Sequence, residues 1–373
     1  MERGNVVRLI ERVRAALDAP PRDAPFVAPA ERYRAAAWCD RERAALFGAP
    51  RLVAASTSLA AGACVPVDLP DVSLLLTRGT DGVVRGFRNA CRHRGTRLVD
   101  APCTAKAMVC PYHAWTYDLA GRLLHLPHAD AFAGIDPATR GLAPLPVVER
   151  HGLVWLGARD AADLDRHLGD VGADLAALAL ERHIVWKRGR ARRRCNWKLV
   201  VEAFLDGYHL RVLHRDSVYR FFLDAASAAE PCGDHLRAVT ARRALREAPA
   251  DLAALDDAAL RQLATPSLLV FPATTIVVHP DFTSIMTVHP LAADLTDWDH
   301  LMFVPADRAG DAEHWDRSWA LIEEGVFQAE DLWVCEQAQR SIATGDVDEL
   351  LFGAHESAVR WFHDAIDRVC SEP

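Results

Sequence analysis

With 373 residues, the chain has the length of two domains, each able to bury a core of its own. Half of the residues are hydrophobic and a quarter are charged, which is ordinary soluble composition, and a net charge of −8 argues against nucleic-acid binding as a main activity.

Residues 5–18 carry the spacing of an amphipathic helix, which the run Ala19-Pro-Pro-Arg-Asp-Ala-Pro25 then breaks. A second helix is expected over 29–47, ending near Gly48-Ala-Pro50. From 51 to about 158 the pattern changes to short β-type runs between turn residues, such as Val72-Ser-Leu-Leu-Leu-Thr-Arg-Gly79 and Gly152-Leu-Val-Trp-Leu-Gly157. Residues 160–180 are rich in Ala, Leu and Asp and read as a helical bridge. Beyond it, helices are expected at 197–214, 252–264, 314–342 and 354–369, and strands at 183–195, 236–244, 267–279, 282–289 and 298–304. The expected organisation is an N-terminal helical segment (1–37), an all-β domain (38–160) and an α+β domain (161–373) whose antiparallel sheet cradles long helices.

The charge run Lys187-Arg-Gly-Arg-Ala-Arg-Arg-Arg194 reads as a solvated strand rather than as a docking site for an acidic electron carrier. The longest charge-free segment, Gln262 to Pro280, is broken by Pro266 and Pro272 and reads as strands rather than a membrane span. Met1-Glu-Arg-Gly-Asn5 lacks the basic-then-apolar pattern of a secretory signal.

The most informative stretch is Cys91-Arg-His93, sixteen residues, then Cys110-Pro-Tyr-His113. Two thiolates and two imidazoles arriving as two mixed pairs suit a two-iron cluster with chemically different ends, one iron on Cys and the other on His. Cys₂His₂ also suits tetrahedral zinc, but zinc ligands usually come as C-x₂₋₄-C and H-x₃₋₅-H. The surroundings are Asn89-Ala-Cys91-Arg-His93-Arg-Gly95 and Cys110-Pro-Tyr-His113-Ala-Trp-Thr-Tyr117-Asp-Leu-Ala-Gly121. Both loops closely resemble the Rieske domain of ring-hydroxylating oxygenases. Ala114 stands where that family usually has Gly, and is expected to be a minor change. Respiratory-chain Rieske proteins carry a disulfide between these loops and a membrane anchor. Here Thr96 and Tyr112 occupy the positions of the extra cysteines, and no anchor is visible. The other seven cysteines, Cys39, Cys64, Cys103, Cys195, Cys232, Cys335 and Cys370, are scattered and odd in number, as expected of reduced thiols in the cytoplasm.

A second constellation lies in Asn196-Trp-Lys-Leu-Val-Val-Glu202-Ala-Phe-Leu-Asp206-Gly-Tyr208-His209-Leu-Arg-Val-Leu-His214. Asp206 and His209 are i, i+3 and share a helical face. His209 and His214 lie about 140° apart on an ideal helix, so both can face one metal only if the helix distorts or ends between them. One carboxylate and two His invite a facial-triad reading for non-haem Fe(II), yet on an amphipathic helix such residues are more often core-edge or solvent groups.

The segment also resembles the oxygenase family's second signature, NWK followed by D-x-x-H-x₄-H. That resemblance implies His209 and His214 as iron ligands. It makes Asp206 the residue that hydrogen-bonds a ligand His and reaches the cluster His of a neighbouring subunit, which is His113. Gly325-Val-Phe-Gln-Ala-Glu330-Asp331-Leu-Trp-Val-Cys335 resembles the family's late helix, whose acidic pair supplies the third ligand. Asp331 is the choice and Glu330 the fallback. Phe352-Gly-Ala-His355-Glu356-Ser-Ala-Val-Arg-Trp-Phe-His363 matches its closing helix, with both His expected to be structural or exposed.

The resemblance implies a helix-grip-like catalytic domain, one [2Fe–2S] cluster and one Fe(II) per subunit, and a homotrimer. Neither a G-x-G-x-x-G turn nor a plant-type ferredoxin Cys run is present, so electrons are expected from NAD(P)H through a separate ferredoxin or flavin reductase. The expected reaction is O₂-dependent hydroxylation of a small organic substrate. An aromatic ring is placed first, as in aromatic hydrocarbon catabolism, with O- or N-demethylation or aliphatic or choline-type hydroxylation as the alternative. Phe204, Leu205, Leu210 and Leu213 flank the ligands and are candidates both for a pocket wall and for the core.

Overall fold

The structure, a computed structural model, describes residues 1–17 and 24–371. Asp18, where the first helix is expected to end, and residues 19–23 of the break that follows lie outside the described residues. The chain divides into two compact units: residues 49–167, and residues 1–48 together with 168–373. The expected boundaries at 38 and 160 lie N-terminal to these limits, and the first 37 residues belong to the larger unit rather than forming a separate segment.

The NWK run explains why the first 48 residues join the larger unit. Asn196 caps the helix Trp197–Leu205 by accepting from the Lys198 N–H, and its side-chain amide donates to the carbonyls of Tyr33 and Ala293. The Trp197 indole donates to Glu42, and the Lys198 ammonium donates to both Glu42 oxygens and to the Arg32 carbonyl. The helix expected over 29–47 is in fact two, Glu31–Arg34 and Ala36–Leu46, separated at Ala35, whose ψ of 128° is extended.

Residues 49–167 form three small antiparallel sheets. A five-stranded sheet runs in the order Pro144–Leu145, Val84–Arg88, Ser73–Arg78, Ala63–Asp68, Cys103–Thr104. One cluster loop leaves the Val84–Arg88 strand, and the other joins Ala107–Val109 to Thr116–Asp118 in a three-stranded sheet. The all-β expectation therefore holds for the segment carrying both loops.

The larger unit is built on a seven-stranded antiparallel sheet in the order His183–Arg193, Leu295–Pro305, Thr283–Ala292, Thr274–Val278, Ala264–Val270, His235–Arg242, Phe222–Cys232. Its core joins the sheet's Met286, Trp298 and Met302 to Trp197, Trp315, Phe327 and Phe362 on the helices. The expected strand 267–279 is two strands joined by a turn at Phe271–Ala273, where the Phe271–Pro272 bond is cis. The edge strand Phe222–Cys232 was not expected: it is Ala-rich and poor in β-branched residues, and its pairing with His235–Arg242 overrides weak local preference. The arginine run lies on the opposite edge strand. Arg188 and Arg190 pair with Asp299 and Arg192 with Asp297 on the neighbouring strand, as a solvated strand requires. Among the described residues, no helix is long and apolar enough to cross a membrane.

Candidate metal centres

Each cluster loop is a tight turn held by its own backbone. The Cys91 N–H donates to Thr96 and the Gly95 N–H returns to Cys91, with Gly95 in the left-handed region at φ 77°. The Cys110 N–H donates to Trp115, and the Ala114 N–H donates to Cys110. Ala114 has φ 55°, a left-handed conformation that Gly adopts without penalty, so the methyl group is a conformational cost rather than a minor change. Buried Asn89 braces the first loop: its oxygen accepts from Leu98 and Val99 and its amide donates to the Val99 carbonyl.

The two loops bring their four candidate ligands together. The imidazoles of His93 and His113 lie 4.6 Å apart, centroid to centroid. The Cys91 and Cys110 thiols, both 3% exposed, share one small core. His93 stacks on Trp115 and His113 packs against Tyr112. Burial pushes the His93 pKa down, helped by His113 and Arg94, which favours the neutral, ligating imidazole. Nδ1 of both imidazoles is buried without a hydrogen-bond partner. Two orphaned imidazole nitrogens beside two buried sulfurs fit a [2Fe–2S] group with mixed ends. The Tyr117 hydroxyl accepts from the Arg92 N–H at 3.0 Å and lies 3.3 Å from the Cys91 sulfur, a contact that the sequence reading did not assign.

In the larger unit, the helix from Trp197 ends at Leu205, and Asp206 is extended, with ψ 133°. His209 opens a short 3₁₀ turn, His209–Arg211. The helix expected over 197–214 therefore stops before both His residues, which removes the 140° problem. Nε2 of His209 and Nε2 of His214 are 3.1 Å apart. Asp331 Oδ1 lies 3.1 Å from His214 Nε2 and 3.6 Å from His209 Nε2, with no hydrogen bond of its own. Three lone-pair-bearing atoms converging in a largely buried place fit a cation held by two His and a carboxylate.

Groups behind these three fix their direction. Asp206 Oδ2 lies 3.0 Å from His209 Nδ1, and Glu330 Oε2 lies 2.7 Å from His214 Nδ1 while accepting from the Ser217 hydroxyl. With each Nδ1–H donating to a carboxylate, both Nε2 atoms are free to ligate. Burial works against ionising Asp206 and against protonating His214. The hydrogen bonds of His209 outweigh it at Asp206, and the Asp331 and Glu330 carboxylates outweigh it at His214, so the Asp206 pKa falls and the His214 pKa rises. Glu330, the fallback ligand, thus sits behind the His214 imidazole rather than among the converging atoms. Glu330 and Asp331 both come from Ala320–Asp331, a π-helical stretch within the long helix, and π-turns are common at functional sites.

His363 is a structural residue: it is 3% exposed and, with the Tyr33 hydroxyl, bonds Glu202. His355 packs against Tyr208. Phe204 and Leu210 do line a cavity of about 290 Å³ that also reaches His209, His214 and Asp331. Leu213 lines a smaller cavity, and Leu205 packs against the core.

The family described as ring hydroxylating alpha subunit (catalytic domain) matches residues 179–372, and the Rieske [2Fe–2S] domain matches residues 49–146. The chain is 34% identical over 164 residues to the glycine betaine monooxygenase oxygenase subunit of Chromohalobacter salexigens, covering 42% of this chain and 35% of that protein. It is 32% identical over 152 residues to the chlorobenzene dioxygenase subunit alpha of a Cupriavidus species, covering 36% and 32%. The matches thus span about a third of the length of these relatives. A crystal structure of a quaternary ammonium Rieske monooxygenase in complex with L-carnitine has the same fold, at TM-score 0.77 and 21% identity over 94% of this chain and 97% of that one.

Proposed function

We propose, from the premise that this chain belongs to the ring-hydroxylating alpha-subunit family and carries its Rieske [2Fe–2S] domain, that it is the terminal oxygenase of a multicomponent monooxygenase acting on a methylated amine or quaternary ammonium substrate. The observation that carries the oxygenase reading is the convergence of His209, His214 and Asp331 on one point at the wall of a cavity. The substrate class draws on the glycine betaine monooxygenase relative, which supports the alternative of the sequence reading above its aromatic choice.

We assign Cys91, His93, Cys110 and His113 as cluster ligands and His209, His214 and Asp331 as iron ligands. When bound there, the two metal groups supply single electrons and O₂ activation. The protein's own contribution is positional. Asp206 and Glu330 hold the two imidazoles in the ligating tautomer, and Phe204, Phe282 and Phe327 give the cavity walls that exclude water and suit a methylammonium face. Asp206 is also assigned as the link toward His113 of the partner subunit in a head-to-tail trimer, with electrons arriving from a ferredoxin or flavin reductase. An aromatic substrate is the second reading, favoured by the same apolar walls and by the chlorobenzene dioxygenase relative.

The test is a single turnover. Protein carrying both metals is reduced without air, mixed with glycine betaine, choline, trimethylamine or an aromatic acid, and exposed to ¹⁸O₂. One labelled oxygen or released formaldehyde from an amine supports the main reading. Two labelled oxygens in a ring product replace it with the second.

A further inference from the structure

One part of the 290 Å³ cavity is left unused by the metal centre and its supports. Arg242, the last residue of the strand His235–Arg242, is the sole Lys or Arg among the described residues that line it. Its guanidinium has five N–H donors, and one of them reaches the Thr265 hydroxyl at 3.3 Å. The group lies 5.3 Å from the ring centroids of both Phe221 and Phe222. No carboxylate pairs with it among the described residues, because the acids sharing the cavity are engaged elsewhere. Asp206 serves His209, Asp331 faces His214, and Asp281 lies 2.6 Å from His314 Nε2. Burial alone pushes the Arg242 pKa down, with no acidic neighbour to raise it.

A second cavity residue has a spare polar atom. His279 stacks on Phe282 at 4.1 Å, and its Nε2 is buried without a partner. Burial, then His300 and Arg242, push its pKa down to about 3, so the ring is neutral and can donate one hydrogen bond. Cation–π contact offsets part of the cost of an unpaired desolvated guanidinium. Apart from the Nη1 donor on Thr265, it leaves the in-plane donors unused, and the pair on Nε and Nη2 matches a carboxylate in bidentate geometry.

We propose that Arg242, aided by His279, binds a carboxylate of the substrate, so the oxidised molecule is a small organic acid. The inference rests on the reading of this cavity as the substrate site. Combined with the ammonium reading, it selects betaine-type zwitterions over amino alcohols.

The test is calorimetric binding to full-length protein carrying both metals, anaerobically, with matched probes: glycine betaine against choline, and benzoate against benzyl alcohol. One carboxylate is expected to bind at least tenfold more tightly than its alcohol. Arg242→Gln should weaken that carboxylate by about thirtyfold or more and leave the alcohol within about twofold, while Arg242→Lys keeps part of the affinity as a point charge. Thr265→Val, which removes only the hydroxyl that orients the guanidinium, should cost severalfold. It decides the matter if Arg242→Gln does not fold, as judged by the cluster's visible spectrum. Benzoate binding in place of glycine betaine would uphold the carboxylate site and remove the ammonium reading. Choline binding as well as glycine betaine would do the reverse. Absence of any carboxylate preference, or unchanged carboxylate affinity in the variants, overturns the inference.

Discussion

Glu330 Oε2 lies 2.7 Å from Nδ1 of His214, on the side of the ring away from the three converging donor atoms. A carboxylate in that place fixes the ring's tautomer and raises its basicity as a ligand. Glu330→Gln keeps the shape but removes the charge, so iron affinity should fall about tenfold to a hundredfold. Competition of the purified protein against a calibrated Fe(II) chelator measures this. Wild-type affinity in the variant would mean that the charge of Glu330 is not needed to hold the ring in its ligating tautomer.

Asp206 holds the corresponding position behind His209 at 3.0 Å, and a further outcome is expected of it. Asp206→Ala should weaken iron binding as Glu330→Gln does, yet at saturating Fe(II) it should keep both metals, and coupled turnover should still be abolished. Metal content together with stopped-flow reoxidation of the reduced cluster separates the two effects. Normal reoxidation in the variant would exclude Asp206 as the link between centres.

What was legible in the chain follows from how locally each feature is encoded. Cys91, His93, Cys110 and His113 sit in two short loops, so their mixed pairs point toward a two-iron cluster before any tertiary contact is known. His209 and His214 were legible, but the place where their helix ends was not, because the i, i+3 spacing of Asp206 and His209 suits a continuing helix as well as it suits the extended turn that forms. Choosing Asp331 over Glu330 required a resemblance, since adjacent acids on a helix differ only in what faces them. Arg242 was invisible, since an arginine ending a strand carries no mark of being unpaired until Thr265, Phe221 and Phe222 surround it.

The NWK run has a structural consequence that can be measured without any substrate. Lys198 and Glu42 are both wholly buried, with Nζ 2.7 and 2.8 Å from the two carboxylate oxygens. Lys198→Met leaves that carboxylate buried with only the Trp197 indole as donor, which should cost about 3–5 kcal/mol. The double variant Lys198→Met/Glu42→Leu removes both charges and should recover most of that loss. Urea midpoints followed by tryptophan fluorescence give both numbers. A single variant as stable as wild type would show that Glu42 finds another cation or takes up a proton at little cost.

Ala114 offers the opposite case, a residue whose replacement should improve the fold. At φ 55° its Cβ crowds the following carbonyl, and a left-handed L-residue costs roughly 1–2 kcal/mol. Gly removes that cost but adds about 0.4–1 kcal/mol of unfolded-chain entropy. The midpoints of those two ranges differ by about 0.8 kcal/mol in favour of Gly, so Ala114→Gly should stabilise the domain by about that much, within about 0–1.6 kcal/mol. The turn's bonds, the Ala114 N–H to Cys110 and the Thr116 hydroxyl to the Ala114 carbonyl, use backbone atoms of residue 114 and survive the change. Thermal loss of the cluster's visible absorbance should therefore shift upward by a few degrees with an unchanged spectrum. A downward shift would show that the Ala114 methyl makes packing contacts worth more than its backbone cost.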